Sequence, residues 1–326
     1  MTMTSEGTMT VPVLDLADLR AGRPGALAST AAQLRDALER VGFYFVVNHG
    51  IDWTLVRRTF AMATAFHALD DAVKATIPFG GGRGGYLTLG GGTSYASQIA
   101  GPVRKPNLNA AFFVHGGSRA EPNQWPPEAA LPGFRDAVVT YFDTMDAFAR
   151  SLLPLYAAAL GLPPDHFATS FDEPDTALRM SHYPVVAHEE HQWGLAPHTD
   201  SSFLTLLPDN DVPGLEIRPE GHDWIRPPAL AESFLVNSGD ILRRWTNDRF
   251  LSTGHRVLNT AGRDRYAIPF FYAPRPDAPV ECLPTCTSAA DPPRYPPTTY
   301  GEYLTWFMNR NYAASTGTPT TEDDRP

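Results

Sequence analysis

From Leu178 onward the chain breaks into short β-prone runs, "LRMSHYPVV", "SSFLTLLP", "GLEIRP", "SFLVNSGDILRRW", "HRVLN" and "YAIPFFYAP", parted by Pro, Gly, Asn and Asp. Runs of this length and spacing close on one another as an antiparallel sandwich or barrel. The preceding half has a different texture. "GALASTAAQLRDALERVGFYFVVNHGI" reads as an amphipathic helix and then a buried strand, after a first short strand in "VPVLDLADL". A second helix is predicted over 53–75, and a long one over 133–160, where Gly161 and Pro163 are stop signals. Thr299 and Glu302 have the spacing of a capping box for a closing helix through Tyr312.

The expected fold class is mainly β with flanking helices, in one integrated unit without internal repeats. Its predicted parts are a disordered N-terminus over 1–10, a helical or mixed region packed on the core over 11–170, a β-core over 171–298, a closing helix over 299–313 and a disordered tail over 314–326.

The composition narrows the function. Of 326 residues, 43% are hydrophobic and 19% charged, an ordinary globular balance with ample material for a core. A formal net charge of -10 argues against nucleic acid, which needs clustered Lys and Arg. No apolar run approaches the ~20 residues of a membrane span, and "MTMTSEGTMT" lacks the pattern of a secretory signal, so a cytoplasmic location is expected. Lysine stands only at Lys74 and Lys105; this preference for arginine, with abundant Ala, Pro and Gly, suggests a GC-rich bacterial source. Cys282 and Cys286, the only cysteines, are too few for a zinc site and read as plain thiols of a reducing compartment.

One stretch asks for chemistry. In "LAPHTDSSFLTLLP", His198 and Asp200 stand two positions apart, and in a strand such residues share a face. The pair is either a local hydrogen bond or two-thirds of a metal site. His255, in "RFLSTGHRVLNT", is the candidate third ligand. "NTAGRDRYAIPFF" follows with turn signals over 259–264. A hairpin about Ala261 would set His255 opposite Ala267 and bring Arg265 beside the histidine. Two histidines and a carboxylate make the facial triad of non-haem ferrous enzymes, with open positions for co-substrate and oxygen, and a nearby guanidinium suits a carboxylate.

With these residues assembled, the chain resembles the isopenicillin N synthase-like branch of the 2-oxoglutarate- and iron(II)-dependent dioxygenases. "VPVLDL", "GFYFVVNHGI", "HTDSSFLTLL", "PGLEI", "LVNSGDILRRWTNDRFLSTGHRV" and "RYAIPFFYAP" match that family in order over almost the whole chain. The resemblance implies a double-stranded β-helix, or jelly roll, with iron(II) on His198, Asp200 and His255. It implies Arg265 on the distal carboxylate of 2-oxoglutarate, and Tyr183 hydrogen-bonded to that co-substrate. Dioxygen would then oxidise a C–H bond of a small organic substrate by hydroxylation, desaturation or ring closure, and a task in secondary metabolism is expected.

The sequence departs from the family at three points. The usual Arg-x-Ser is Arg265-Tyr266-Ala267, which removes a hydroxyl whose hydrogen bond is worth ~0.5–1.5 kcal/mol net. Ser181 replaces an Asn common two residues before the tyrosine, and Ala110 stands where plant relatives often have an acidic residue. Two other readings follow: an isopenicillin N synthase-type oxidase without 2-oxoglutarate, in which Arg265 clamps the substrate, and a non-catalytic binding protein on the same fold.

Other features receive plainer readings. "GGGRGG" has G-x-G-x-x-G spacing without the flanking strand and helix of a nucleotide site, so it reads as a loop, with Tyr86 a candidate substrate contact. Loops over 80–97 border the expected pocket. His188 and His191 read as an exposed loop and His49 as structural. Phe112 and Phe113 read as core, either of them a candidate to line the pocket. The oligomeric state has no sequence signal.

Overall fold

The computed structural model describes residues 10–80, 82–92, 105–116 and 123–312, so the expectations of disorder over 1–9 and 314–326, and part of the loop over 80–97, lie outside the described residues. Among these, the elements run β1 (Val13–Asp15), α1 (Ala17–Arg20), α2 (Ala26–Arg40), β2 (Phe43–Val47), α3 (Trp53–His67), α4 (Asp71–Lys74), β3 (Gly85–Leu87), β4 (Ala110–Gly116) and α5 (Phe134–Ala159). The second half holds β5 (Asp175–Tyr183), β6 (Leu195–His198), β7 (Leu204–Pro208), β8 (Leu215–Arg218), β9 (Phe234–Ser238), α6 (Asp240–Trp245), β10 (Gly254–Val257), β11 (Arg265–Ala267), β12 (Phe270–Ala273), β13 (Pro279–Val280), β14 (Thr298–Thr299) and α7 (Tyr300–Tyr312).

Helix α5 explains how the helical half attaches. Phe134, Val138, Tyr141, Met145, Phe148, Leu152, Leu155, Tyr156 and Ala159 are buried along one stripe, the period of an amphipathic helix. It ends in a Schellman-type stop: Gly161 takes φ 70° and the Leu162 N–H donates to the Ala157 carbonyl. The expected second helix is two. Asp70 takes an extended conformation and opens α4, because the "LDDAVK" segment restarts the helix after Ala68. The expected capping box at the start of α7 is present, with Glu302 accepting from the Thr299 N–H at 2.9 Å and Thr299 Oγ1 from the Glu302 N–H at 3.3 Å.

Two sheets face each other. The larger has nine strands in the order β1-β2-β9-β7-β12-β5-β4-β3, with β11 also on β5; the smaller is β6-β10-β8. Only the β1–β2 pair is parallel among the named pairs. Strands β1 to β4, from before residue 171, complete the same sheet as the core strands. Strand β5 shows why the sheet has two faces: Leu178 and Met180 join the apolar core under the helices, while Arg179, Ser181 and Tyr183 point the other way.

The expected hairpin between the third histidine and the arginine is not a paired one. Strand β10 pairs with β6 and β8, whereas β11 crosses to the opposite sheet, with Arg265 opposite Tyr183 and Ala267 opposite Ser181 on β5. Turn residues fix where the chain reverses, not which strand it then joins.

Candidate metal centre

His198 closes β6 and His255 sits directly across from it on β10, so one rung of the small sheet carries both rings, with centroids 4.2 Å apart. Asp200 follows in the loop after β6. Glycine at 239 lets that loop pass: a Cβ there would collide with the backbone of Ser202 and Asp200, and the Asp240 N–H donates to the Asp200 carbonyl at 2.7 Å. The result is three ligand atoms all within 4.8 Å of one another. Asp200 Oδ1 lies 3.7 Å from His198 Nε2 and 3.5 Å from His255 Nε2.

The surrounding bonds leave those atoms free. His198 Nδ1 lies 2.8 Å from the Ala196 carbonyl and His255 Nδ1 3.2 Å from that of Thr253. A carbonyl only accepts, so each ring carries its proton on Nδ1 and turns a bare Nε2 inward. Asp200 Oδ2 accepts from Thr205 at 2.6 Å and Asn237 at 2.8 Å, which leaves Oδ1 facing the two rings. The charges interlock. Burial, and then the neighbouring His255, push His198 down to about 3. For the carboxyl of Asp200 burial acts in the opposite sense, but His255, His198 and Asn237 outweigh it and hold it below the usual range. Burial also opposes charge on His255, yet Asp200 lifts its pKa above the ordinary value. Two ring nitrogens and one carboxylate oxygen, those of Asp200 and His255 buried and that of His198 half-buried, form a donor set that fits a ferrous ion and leaves coordination positions open.

Across the cavity, Arg265 is 3% exposed, its guanidinium 5.2 Å above the Tyr183 ring. Its Nε donates to the Val212 carbonyl at 3.1 Å, while Nη1 is buried without a partner. The cavity is walled by both sheets, with Arg265 and Tyr183 at one end, the His198–Asp200–His255 cluster beside them, and Leu207 and Val257 between.

The chain matches the family model described as the 2OG-Fe(II) oxygenase superfamily over residues 174–274, and that of the non-haem dioxygenase in morphine synthesis N-terminal over 11–128. It is 30% identical to the 2-oxoglutarate-Fe(II) type oxidoreductase hxnY of Emericella nidulans, with 92% of this chain and 90% of the relative covered. The chain belongs to the 2-oxoglutarate- and iron(II)-dependent oxygenases.

As an oxygenase of this family the protein is an oxidoreductase that uses iron(II), 2-oxoglutarate and dioxygen. It is 31% identical to kihadalactone A synthase LFS of Citrus sinensis, covering 90% of this chain and 91% of that one. The fold is the double-stranded β-helix of solved neighbours. A full-length Neurospora crassa protein, solved in complex with alpha-KG and thymine, superposes with TM-score 0.83 at 24% identity over 96% of this chain and 99% of that one. A 2OG-Fe(II) oxygenase family protein from Caulobacter crescentus gives 0.79 at 25% identity, over 93% and 99%.

The oxygenase's remaining candidates fall in several places. Tyr86 pairs with Phe112 on the helix-facing side, near Phe66 and His67, and so does not line this cavity. Phe112 packs with Phe66 and Phe134 in the core, whereas Phe113 turns to the other face. His49 is structural, bonded to the Glu232 carbonyl and the Ile51 N–H, while His188 and His191 are exposed. Cys282 and Cys286 are free thiols. Among the described residues no helix is long and apolar enough to cross a membrane. Three residues escape the sequence reading. Asn237 and Thr205 fix the Asp200 carboxylate, and Arg179 lines the cavity. Period-two alternation in "LRMSHY" sets Arg179 on the face of Tyr183, and a charge inside a β-run is the available signal.

Proposed function

We propose that His198, Asp200 and His255 hold iron(II), that Arg265 with Tyr183 holds the distal carboxylate of 2-oxoglutarate, and that the protein oxidises a C–H bond of a small organic molecule. The observation that carries this is the convergence of three ligand atoms within 4.8 Å, with both rings locked by backbone carbonyls. The unpaired Nη1 of Arg265 supports the second part, since an orphaned buried donor is costly unless a ligand completes it.

Bound there, iron and 2-oxoglutarate supply the oxidant from dioxygen, with succinate and carbon dioxide as co-products. The chain's own residues do the rest. Asp200 supplies the negative charge, Thr205 and Asn237 keep its free oxygen aimed, and Leu207, Leu215 and Val257 keep water from the reacting centre. Ala267 gives no hydroxyl to the co-substrate, but Ser181 lies directly opposite with its buried Oγ unpaired. The strands that precede residue 171 build the same sheet, which supports one integrated unit rather than separable domains. Relatives such as the Citrus synthase support a place in secondary metabolism. The arginine-rich composition supports a bacterial source, and the free thiols a reducing, cytoplasmic compartment.

The test is an anaerobic titration of iron-loaded protein with 2-oxoglutarate, read by the weak visible charge-transfer band of the chelate. A saturable band that Arg265→Ala weakens tenfold or more supports the assignment. Iron binding without a band overturns the co-substrate role and leaves Arg265 as a clamp for substrate in an oxidase-type enzyme.

A further inference from the structure

A second arginine stands inside the same cavity and has no task in the chemistry above. Arg179 lies on β5, four residues before Tyr183 and on the same face, at 8% exposure. Its Nη2 donates to Asn109 Oδ1 at 2.6 Å, and Asn109 Nδ2 is in turn bonded to the Gly194 carbonyl. The guanidinium lies 5.4 Å from the Phe113 ring, directly across on β4. Its Nε is buried and has no partner. So one edge of the guanidinium is held by a tethered amide, one side is supported by an aromatic ring, and one buried donor of this cavity-lining residue is left without a partner. Arg265 shows the same signature at the other end of the cavity, which makes two positioned cations around one metal cluster.

We propose that Arg179 is the anchor for a carboxylate on the substrate to be oxidised, so that the substrate class is small monocarboxylic acids with a flat or compact apolar body. The inference rests on the oxygenase reading above. Charge balance argues for an anion over a neutral group. Among the described residues that line the cavity, only Asp200 is acidic, and Arg179 and Arg265 are the cations. With iron(II) and the two carboxylates of 2-oxoglutarate bound, one positive charge is left over, and a monoanion neutralises it. A buried guanidinium and a carboxylate also make the stronger, charge-assisted hydrogen bond.

The walls give the body of the substrate. Ala177 is the next residue on the same face of β5, with a small side chain. Phe271 is directly across from Ala177 on β12 and also pairs with Thr205, which holds Asp200. Arg179, Phe271 and Thr205 line the same cavity as the three candidate ligands, so a ligand anchored at Arg179 lies against the Phe271 ring with its far end toward His198, Asp200 and His255.

The experiment is calorimetric titration of anaerobic, iron- and 2-oxoglutarate-loaded protein with benzoate, phenylacetate and cinnamate, each against its primary amide. At least one acid should bind tenfold or more tighter than its amide. Arg179→Gln should abolish that preference and leave the charge-transfer band intact, which also shows that the variant folds. Arg179→Lys should restore part of it, and Asn109→Ala should weaken it by a smaller factor. Equal binding of acid and amide, a preference that survives Arg179→Gln, or no binding by any of the acids overturns the proposal. Loss of the band itself in Arg179→Gln also overturns it, by assigning this arginine to the co-substrate. The wild-type band and its response to Arg265→Ala test the underlying reading separately, and the acid preference is still measured with iron alone.

Discussion

The two faces of β5 are built from adjacent residues and follow opposite rules. Leu178 and Met180 are fully buried in the apolar core beneath the helices. Arg179 and Ser181, one position along, are also buried yet carry polar atoms without partners. A buried donor left unpaired costs about 1–3 kcal/mol. The helix face stabilises the fold, and the cavity face gives up part of that stability to keep donors ready for a ligand. A substitution on one face should therefore change melting and spare ligand binding, and on the other face the reverse.

The largest effect should come from Asp200→Ala, which removes the carboxylate of the proposed ligand set: turnover falls to background and iron no longer co-purifies, while far-UV circular dichroism stays native. Normal activity in that variant would break the assignment of the triad. On the other face, Leu178→Ala should cost ~2–5 kcal/mol in denaturant unfolding. Its iron and 2-oxoglutarate titrations should superpose on those of the wild type, and a matching loss of affinity would erase the contrast.

The acid limb of stability supplies a third test. Burial is the main cause that pushes His67 down to about 4, from the ordinary 6.5, with the charges of His182 and Lys74 acting the same way and the Met180 carbonyl opposing. Above pH 6.5 neither state binds the proton and the contribution is complete. As pH falls from 6.5 to 4 the unfolded chain takes up a proton that the fold refuses, and up to about 3 kcal/mol is lost. His67→Gln keeps a donor for the Met180 carbonyl and should flatten that part of the stability–pH curve, an unchanged slope being the failing result. The smallest effect is a gain. Ala267→Ser restores a hydroxyl beside Arg265 and should tighten 2-oxoglutarate by about 2–10-fold, the equivalent of ~0.5–1.5 kcal/mol. No change would mean that Ser181, on the opposite strand, already serves that carboxylate.

The legible parts of this molecule are those written in local spacing. The Thr299–Glu302 box and the periodic stripe of α5 each depend on a few neighbouring residues, and each stands where the spacing puts it. His198 and Asp200 do come together, but not as neighbours on one strand face, because β6 ends at His198 and Asp200 is turned inward by the loop. What is illegible depends on partners far away in sequence. Arg265 does reach the cavity of His255, but through β5 and from the facing sheet, because strand choice is decided by distant registers. Tyr86 turns to the helices for the same reason: its direction is set by pairing with Phe112. Arg179 lies in view inside a β-run, but its place in the cavity depends on Asn109 and Phe113, some seventy residues away.

His198 and His255 occupy a single rung between β6 and β10, strands of four residues each. An ion gripped by both would thus be a cross-link as well as a reagent, fastening the edge strand β6 to β10 at the end of β6. By mass action, whatever binds only the native state slows its opening. Amide hydrogen exchange across Leu195–His198 and Gly254–Val257 should then slow as iron is added, which would make metal supply a determinant of how long this protein survives proteases.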